Sequence, residues 1–138
     1  MARRKSRILA FQALFSWDTG NKNLDDLFLF PWAGDSKILS DQESLTFAKL
    51  LIAGTVEHIQ EIDKLIEKHL ENTWSIERIN KVDLAILRIS VYPILYQKDI
   101  HPTIVINEAV DISKEFGSDD SYKFINAVLD NVRKDLEA

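Results

Sequence analysis

The chain contains no cysteine. That excludes a disulfide framework, a thiolate metal site and a cysteine nucleophile, and it fits a reducing, cytoplasmic setting. Glycine and proline are scarce as well, four and three residues in 138. Sandwiches and barrels must turn every few residues, so this shortage favours helices. No run of 18 apolar residues occurs, and the first thirty residues lack an apolar stretch followed by a small-residue cleavage site, so neither a membrane span nor a signal peptide is expected. The glycines, at positions 20, 34, 54 and 117, stand too far apart for a dinucleotide or phosphate-loop fingerprint. Only three histidines are present, His58, His69 and His101. If the first two shared one helix they would lie about 16 Å apart along its axis, too far to bind one metal. Carboxylates are plentiful, but their positions at helix starts and on helix surfaces are explained by the helix dipole. No nucleophile stands at a suggestive spacing from a base. Catalysis, cofactor and metal are therefore not expected.

What remains is an ordinary globular balance, 46% apolar and 28% charged, in a length that suits one domain over residues 1–138. Apolar residues recur at helical spacing throughout. A first helix is expected from about Arg3 to Trp17, stopped by Asp18-Thr19-Gly20-Asn21. Leu24 to Phe30 reads as a brief helix, and Trp32 to Ser36 as the loosest loop. After a cap at Ser40 or Asp41, a helical stripe runs from Leu45 to Leu70, with Gly54 as the place where it could divide. Asn80 and Asp83 resemble a capping box ahead of a helix from Val82 to Tyr96. That helix is apolar nearly all round and so belongs at the centre of a bundle, with a kink or tight final turn at Pro93. Pro102 opens a further helix whose inner stripe is Val105, Ala109, Ile112 and Phe116, closed by a left-handed Gly117. Ser118 caps the last helix, which buries Tyr122, Ile125, Val128, Leu129, Val132 and Leu136. The fold class is all-α.

Charge is distributed unevenly. The net charge is −5, yet Arg3, Arg4, Lys5 and Arg7 stand among the first seven residues without an acid; removing those four positive charges leaves −9 on the other 131 residues. A concentrated basic end on an acidic body can hold a polyanion at one place while the body repels it. Four phosphates neutralised on a single strand would give a log–log salt slope of about −2.8. The plain alternative is a solvated tail. On the last helix, Phe124 falls roughly 100° from the apolar centre and Lys123 nearly opposite it, which suits base stacking beside a phosphate contact. A Phe covering the bundle's flank would produce the same pattern. Asp119 and Asp120 sit at the helix start, where acids offset the dipole, so an RNA role for Asp120 would be hydrogen bonding to base amino groups. Glu77, Asp83 and Arg88 form a polar group around an otherwise apolar helix, either as an internal ion-pair network or as an acidic patch for a basic partner.

Several segments together resemble the NusB family. They are Ala2-Arg3-Arg4-Lys5-Ser6-Arg7 with Gln12-Ala13-Leu14-Phe15-Ser16-Trp17, then Phe47-Ala48-Lys49-Leu50-Leu51-Ile52-Ala53-Gly54, then Ile86-Leu87-Arg88-Ile89-Ser90-Val91-Tyr92. Ile106-Asn107-Glu108-Ala109-Val110, Lys114-Glu115-Phe116-Gly117 and Lys123-Phe124-Ile125-Asn126-Ala127-Val128-Leu129-Asp130 follow in order. The resemblance implies two packed helical sub-bundles of three or four helices and binding of boxA-type RNA in leader and ribosomal transcripts. It implies a heterodimer with the ribosomal protein NusE, loaded with other Nus factors onto transcribing RNA polymerase. Carried over by position, Arg3, Arg4, Lys5, Arg7, Gln12 and Phe15 would contact RNA, as would Asp120, Lys123 and Phe124; Glu77, Asp83 and Arg88 fall on the NusE side. The chain departs from the family in having Phe at position 15, where Tyr is frequent, and Pro93 in the central helix; residues 21–41 match little.

Two other functions fit the same residues. One is a stand-alone module like the RNA-binding domain of ribosomal RNA cytosine methyltransferases, since no methyltransferase follows Glu137-Ala138. The other is a helical adaptor whose basic N-terminus is incidental. Monomer and homodimer are both compatible with the sequence, and a dimer that buried the first helix would have to open to bind RNA.

Overall fold

A computed structural model describes residues 3–20, 23–33, 37–70 and 75–137. Among these described residues seven α-helices follow one another: α1 (Arg4–Thr19), α2 (Leu24–Leu27), α3 (Gln42–Glu57), α4 (Ile59–Lys68), α5 (Lys81–Tyr96), α6 (Pro102–Phe116) and α7 (Ser121–Glu137). Short 3-10 turns occupy Pro31–Ala33, Lys37–Ser40 and Ile76–Arg78, and no strand occurs among the described residues. Asn21 and the Gly34-Asp35-Ser36 part of the expected loop lie outside those residues.

Helix starts follow local chemistry. The Asn80 side chain accepts from the N–H groups of Val82 and Asp83 at 2.8 and 3.3 Å, and Asp41 accepts from Ser44. His101 accepts from the Thr103 N–H, next to Pro102 in the first turn, where a missing donor costs nothing. Each such cap contributes about 1 kcal/mol. Ser118 acts before α7 in a reciprocal way: its N–H donates to Ser121 Oγ at 3.0 Å, three residues on.

Helix α5 occupies the middle, as its all-round apolar surface requires. Eleven of its sixteen residues are buried, and it packs against α1, α3, α4, α6 and α7. Helices α1 and α3 pair on one side and α6 and α7 on the other, with α4 reaching both α5 and α7. One continuous apolar core joins the two groups, from Leu14 on α1 through Ile86 and Leu87 on α5 to Leu129 on α7. Pro93 lies within the last turn of α5, which continues only to Tyr96.

Three local expectations change. The α3–α4 break falls at His58 rather than Gly54; the His58 ring stacks on Tyr96 with centroids 4.3 Å apart. Gly54 instead lies inside α3, and its lack of a side chain leaves room for the Tyr92 ring. Gly117 is extended (φ −92°, ψ −174°), not left-handed. Its lack of a side chain matters for closeness, since a Cβ would sit 2.7 Å from Ser121 Oγ and 2.8 Å from the Ser113 carbonyl. Phe116 and Leu136, expected in the core, are 36% and 39% exposed.

Candidate nucleic-acid interface

The basic N-terminus is built into the fold. Arg3 precedes α1 in a left-handed conformation (φ 61°, ψ 37°) without a side-chain cap. Its guanidinium reaches Glu43 at 2.7 Å and lies 4.9 Å from the centre of the Phe47 ring. Arg4 grips Glu108 with Nε at 3.1 Å and Nη2 at 2.6 Å, and Nη2 also meets Asp111 at 2.7 Å. Glu108 is buried, so Arg4 both satisfies it and fastens the start of α1 to α6. The fork geometry of Arg suits this bidentate arrangement. Lys5 is exposed. Arg3, Arg4 and Lys5 surround a small hollow of about 220 Å³, with Ser6 and Ser44 on its floor.

Arg7 differs from the other three. It is 3% exposed and packs over Phe47 at 5.4 Å, and burial pushes its guanidinium below its ordinary range while Glu108 opposes that. It supports the basic end from beneath instead of presenting itself to a ligand. The expected row of four surface cations is therefore three at the surface and one inside.

The second patch gathers around the start of α7. Asp120 and Lys123 are exposed and lie 3.7 Å apart, and Phe124 is half-buried. With Arg78, Asn80 and Ser118, Asp120 and Phe124 border a hollow of about 290 Å³ that reaches down to Asp83. Asp83 is buried; burial pushes its carboxyl above the usual range, and the Ser121 hydroxyl partly offsets this. Its Oδ1 has no hydrogen-bond partner. Glu77, on the 3-10 turn before α5, is exposed, and its own backbone N–H and the Ser75 side chain hold it below the usual carboxylate range. Arg88 points inward instead. It makes two 2.9 Å bonds to Asp63 and approaches Asp18 at 3.4 Å. Of the three residues expected on a partner face, Glu77 alone is exposed, Asp83 belongs to the α7 hollow, and Arg88 forms the internal network.

Between the two patches runs a groove the sequence did not reveal. Gln12 and Phe15 of α1 line it as half-buried residues, together with Trp32, Phe11, Ser16, Val82 and Phe116, around about 290 Å³. Val82 adjoins Asp83, and Phe116 lies two residues from Ser118, so the groove shares elements with the α7 hollow. By sequence Phe116 belongs to the α6 core stripe and Trp32 to a loop, and their partial exposure is what distinguishes them from core. The histidines do not converge: His58 and His69 stand at opposite ends of α4, and among the described residues no group of three metal-ligating side chains forms.

A family model described as the NusB family matches residues 4–134. The transcription antitermination protein NusB of Treponema denticola is 53% identical over 133 residues, covering 96% of each chain. The solved structure of T. maritima NusB superposes with a TM-score of 0.82 at 34% identity, covering 96% of this chain and 90% of that one. A crystal structure of antitermination factors NusB and NusE in complex with dsRNA matches with a TM-score of 0.84 at 33% identity over 97% of each chain. With sequence, helix order and fold in agreement over nearly the whole length, the chain belongs to the NusB family.

Proposed function

We propose that this chain acts as a single RNA-binding domain, a non-enzymatic transcription antitermination factor that binds boxA-type single-stranded RNA in nascent ribosomal transcripts. It works with NusE on transcribing RNA polymerase, in the cytoplasm. The observation that carries this proposal is the pre-arranged basic end: Arg3 and Arg4 are held in place by Glu43, Glu108 and Asp111, next to exposed Lys5. Side chains already ordered lose less entropy when a phosphate replaces an acid. Phe15, Gln12, Phe124, Lys123 and Asp120 extend the RNA surface, and Glu77 offers a charge to a basic partner, with Asp83 and Arg88 behind it. The solved relative that pairs NusB with NusE and double-stranded RNA supports the partners. Partly exposed aromatic rings favour a single strand here, because only unpaired bases can splay out onto them.

The test is fluorescence anisotropy of boxA-like, scrambled and duplex RNA, with and without NusE, at two salt concentrations. Expected is a salt-sensitive preference for the boxA strand that NusE tightens and Arg3/Arg4/Lys5→Ala abolishes; Lys5→Glu, which leaves the internal ion pairs intact, should weaken it alone. Absence of binding to any RNA with NusE present would overturn the proposal.

A further inference from the structure

We infer that the groove between α1, α5, α6 and the Pro31–Ala33 turn is a slot for one unstacked nucleobase of the bound strand, with Trp32 as its outer wall. This rests on the RNA-binding function proposed above and names a subsite within it. The walls are aromatic: Phe11 and Phe116 stand 5.2 Å apart at a 57° tilt, and Trp32 is braced edge-on by buried Phe30 at 5.7 Å. Trp32 and Phe116 nevertheless leave 37% and 36% of their surface in water, so both rings remain partly uncovered beside a cavity of about 290 Å³. That lies at the small end of ligand pockets, roughly 300–1,000 Å³ for drug-sized molecules, and suits a single flat ring.

The lining also carries polar groups suited to a base. Gln12 contributes an amide that can both donate and accept, and Ser16 a hydroxyl, so a base stacked between rings could be bonded along its edge. Position identifies the occupant. Lys5 and Gln12 are seven residues apart on α1, about 10.5 Å along its axis, and at the slot's other end Val82 adjoins Asp83 of the hollow that Phe124 lines, one residue from exposed Lys123. A strand crossing from the basic end to α7 passes the slot. Trp32 comes from residues 21–41, where the family resemblance is weakest, so the slot would give this chain its own contact with the strand.

The experiment combines Trp32→Ala and Trp32→Phe with boxA-type RNA carrying a single abasic nucleotide at each position in turn, read by anisotropy in the presence of NusE. Circular dichroism confirms folding; Trp32 lies in a short turn outside the main helices, so its loss spares the core. Trp32→Ala should weaken single-strand binding on the order of tenfold, the factor a stacked base commonly supplies. Trp32→Phe should retain most affinity, and the salt slope should be unchanged. One abasic position should cost the wild-type chain a similar factor and cost Trp32→Ala nothing more. Wild-type affinity in Trp32→Ala, or an abasic penalty that persists in it at every position, overturns the slot while leaving the proposed function standing. Loss of NusE association with RNA affinity intact would assign the groove to a protein side chain and also overturn it. If the wild-type chain binds no RNA even with NusE, the proposed function fails and the slot falls with it.

Discussion

The contrast between Arg7 and Lys5 offers a sharp test of how the basic end works. Both are cations of the first two turns of α1, and by sequence they are equivalent RNA contacts. In the structure Lys5 is exposed while Arg7 is 3% exposed, packed over Phe47 with its charge opposed by Glu108. Each phosphate neutralised on a single strand adds about 0.7 to the slope of log affinity against log salt. Arg3, Arg4 and Lys5 together should therefore supply about 2.1 of the total, rather than the 2.8 expected of four cations. Raising salt about fourfold weakens binding by about 18-fold for three contacts and by about 2.6-fold for one. The same substitution at both positions isolates the effect, and methionine approximates the length of either side chain without its charge. Lys5→Met should reduce the slope by about 0.7, whereas Arg7→Met should leave it unchanged and alter melting temperature instead. The assay is RNA anisotropy over five salt concentrations, paired with thermal unfolding. A slope reduced equally by Arg7→Met would mean that Arg7 leaves its buried site to meet RNA, refuting the support role assigned to it.

Two further perturbations probe the buried polar groups. Asp63→Ala strands Arg88, which is 7% exposed, with only Asp18 nearby; it should cost about 3 kcal/mol, or about 10 °C in melting temperature for 138 residues. Arg88→Met should cost less, since the Asp63 and Asp18 side chains, 26% and 16% exposed, can hydrate, and the reverse order in thermal unfolding would refute the internal-network account. Burial holds the folded-state carboxyl of Asp83 above its unfolded value, so the native state is penalised increasingly as pH rises through that interval and stays penalised above it. Asp83→Asn should therefore raise melting temperature at pH 7, with the gain vanishing below the unfolded carboxylate pKa of about 3.9; an equal gain at both ends would rule out titration as the cause.

These residues also show what could be read from sequence and what could not. Helix identity came from apolar spacing, and the helix starts from Asn80, Asp41 and Pro102, because both depend on neighbours within a few residues. The central place of α5 followed from its apolar circumference. The direction of a charged side chain depends on what another helix places opposite it. Arg7 turns inward because α3 supplies Phe47, and Arg88 because α4 supplies Asp63 at 2.9 Å. No local pattern contains those partners. Gly117 illustrates the same limit: a glycine ending a helix reads as a left-handed cap, but here the constraint is Ser121 Oγ approaching from the start of α7.

The groove at Trp32 extends that logic from single residues to the site. Phe11 and Phe15 lie on the mainly apolar first helix, Val82 and Phe116 sit at the ends of two others, and Trp32 lies in a segment without periodicity. Each alone is more simply read as packing. Only the meeting of α1 with α5 and α6 gathers four core-like aromatics into one groove where Trp32 and Phe116 stay partly exposed, and it does so between the basic end and the patch that carries exposed Lys123. An aromatic row flanked by cations is the arrangement a single strand needs, stacking for its bases and charge for its backbone. The fold thus produces the RNA surface by juxtaposition. Substitutions that loosen α1 from α6, such as those at Arg4 or Glu108, should therefore impair both halves of it together.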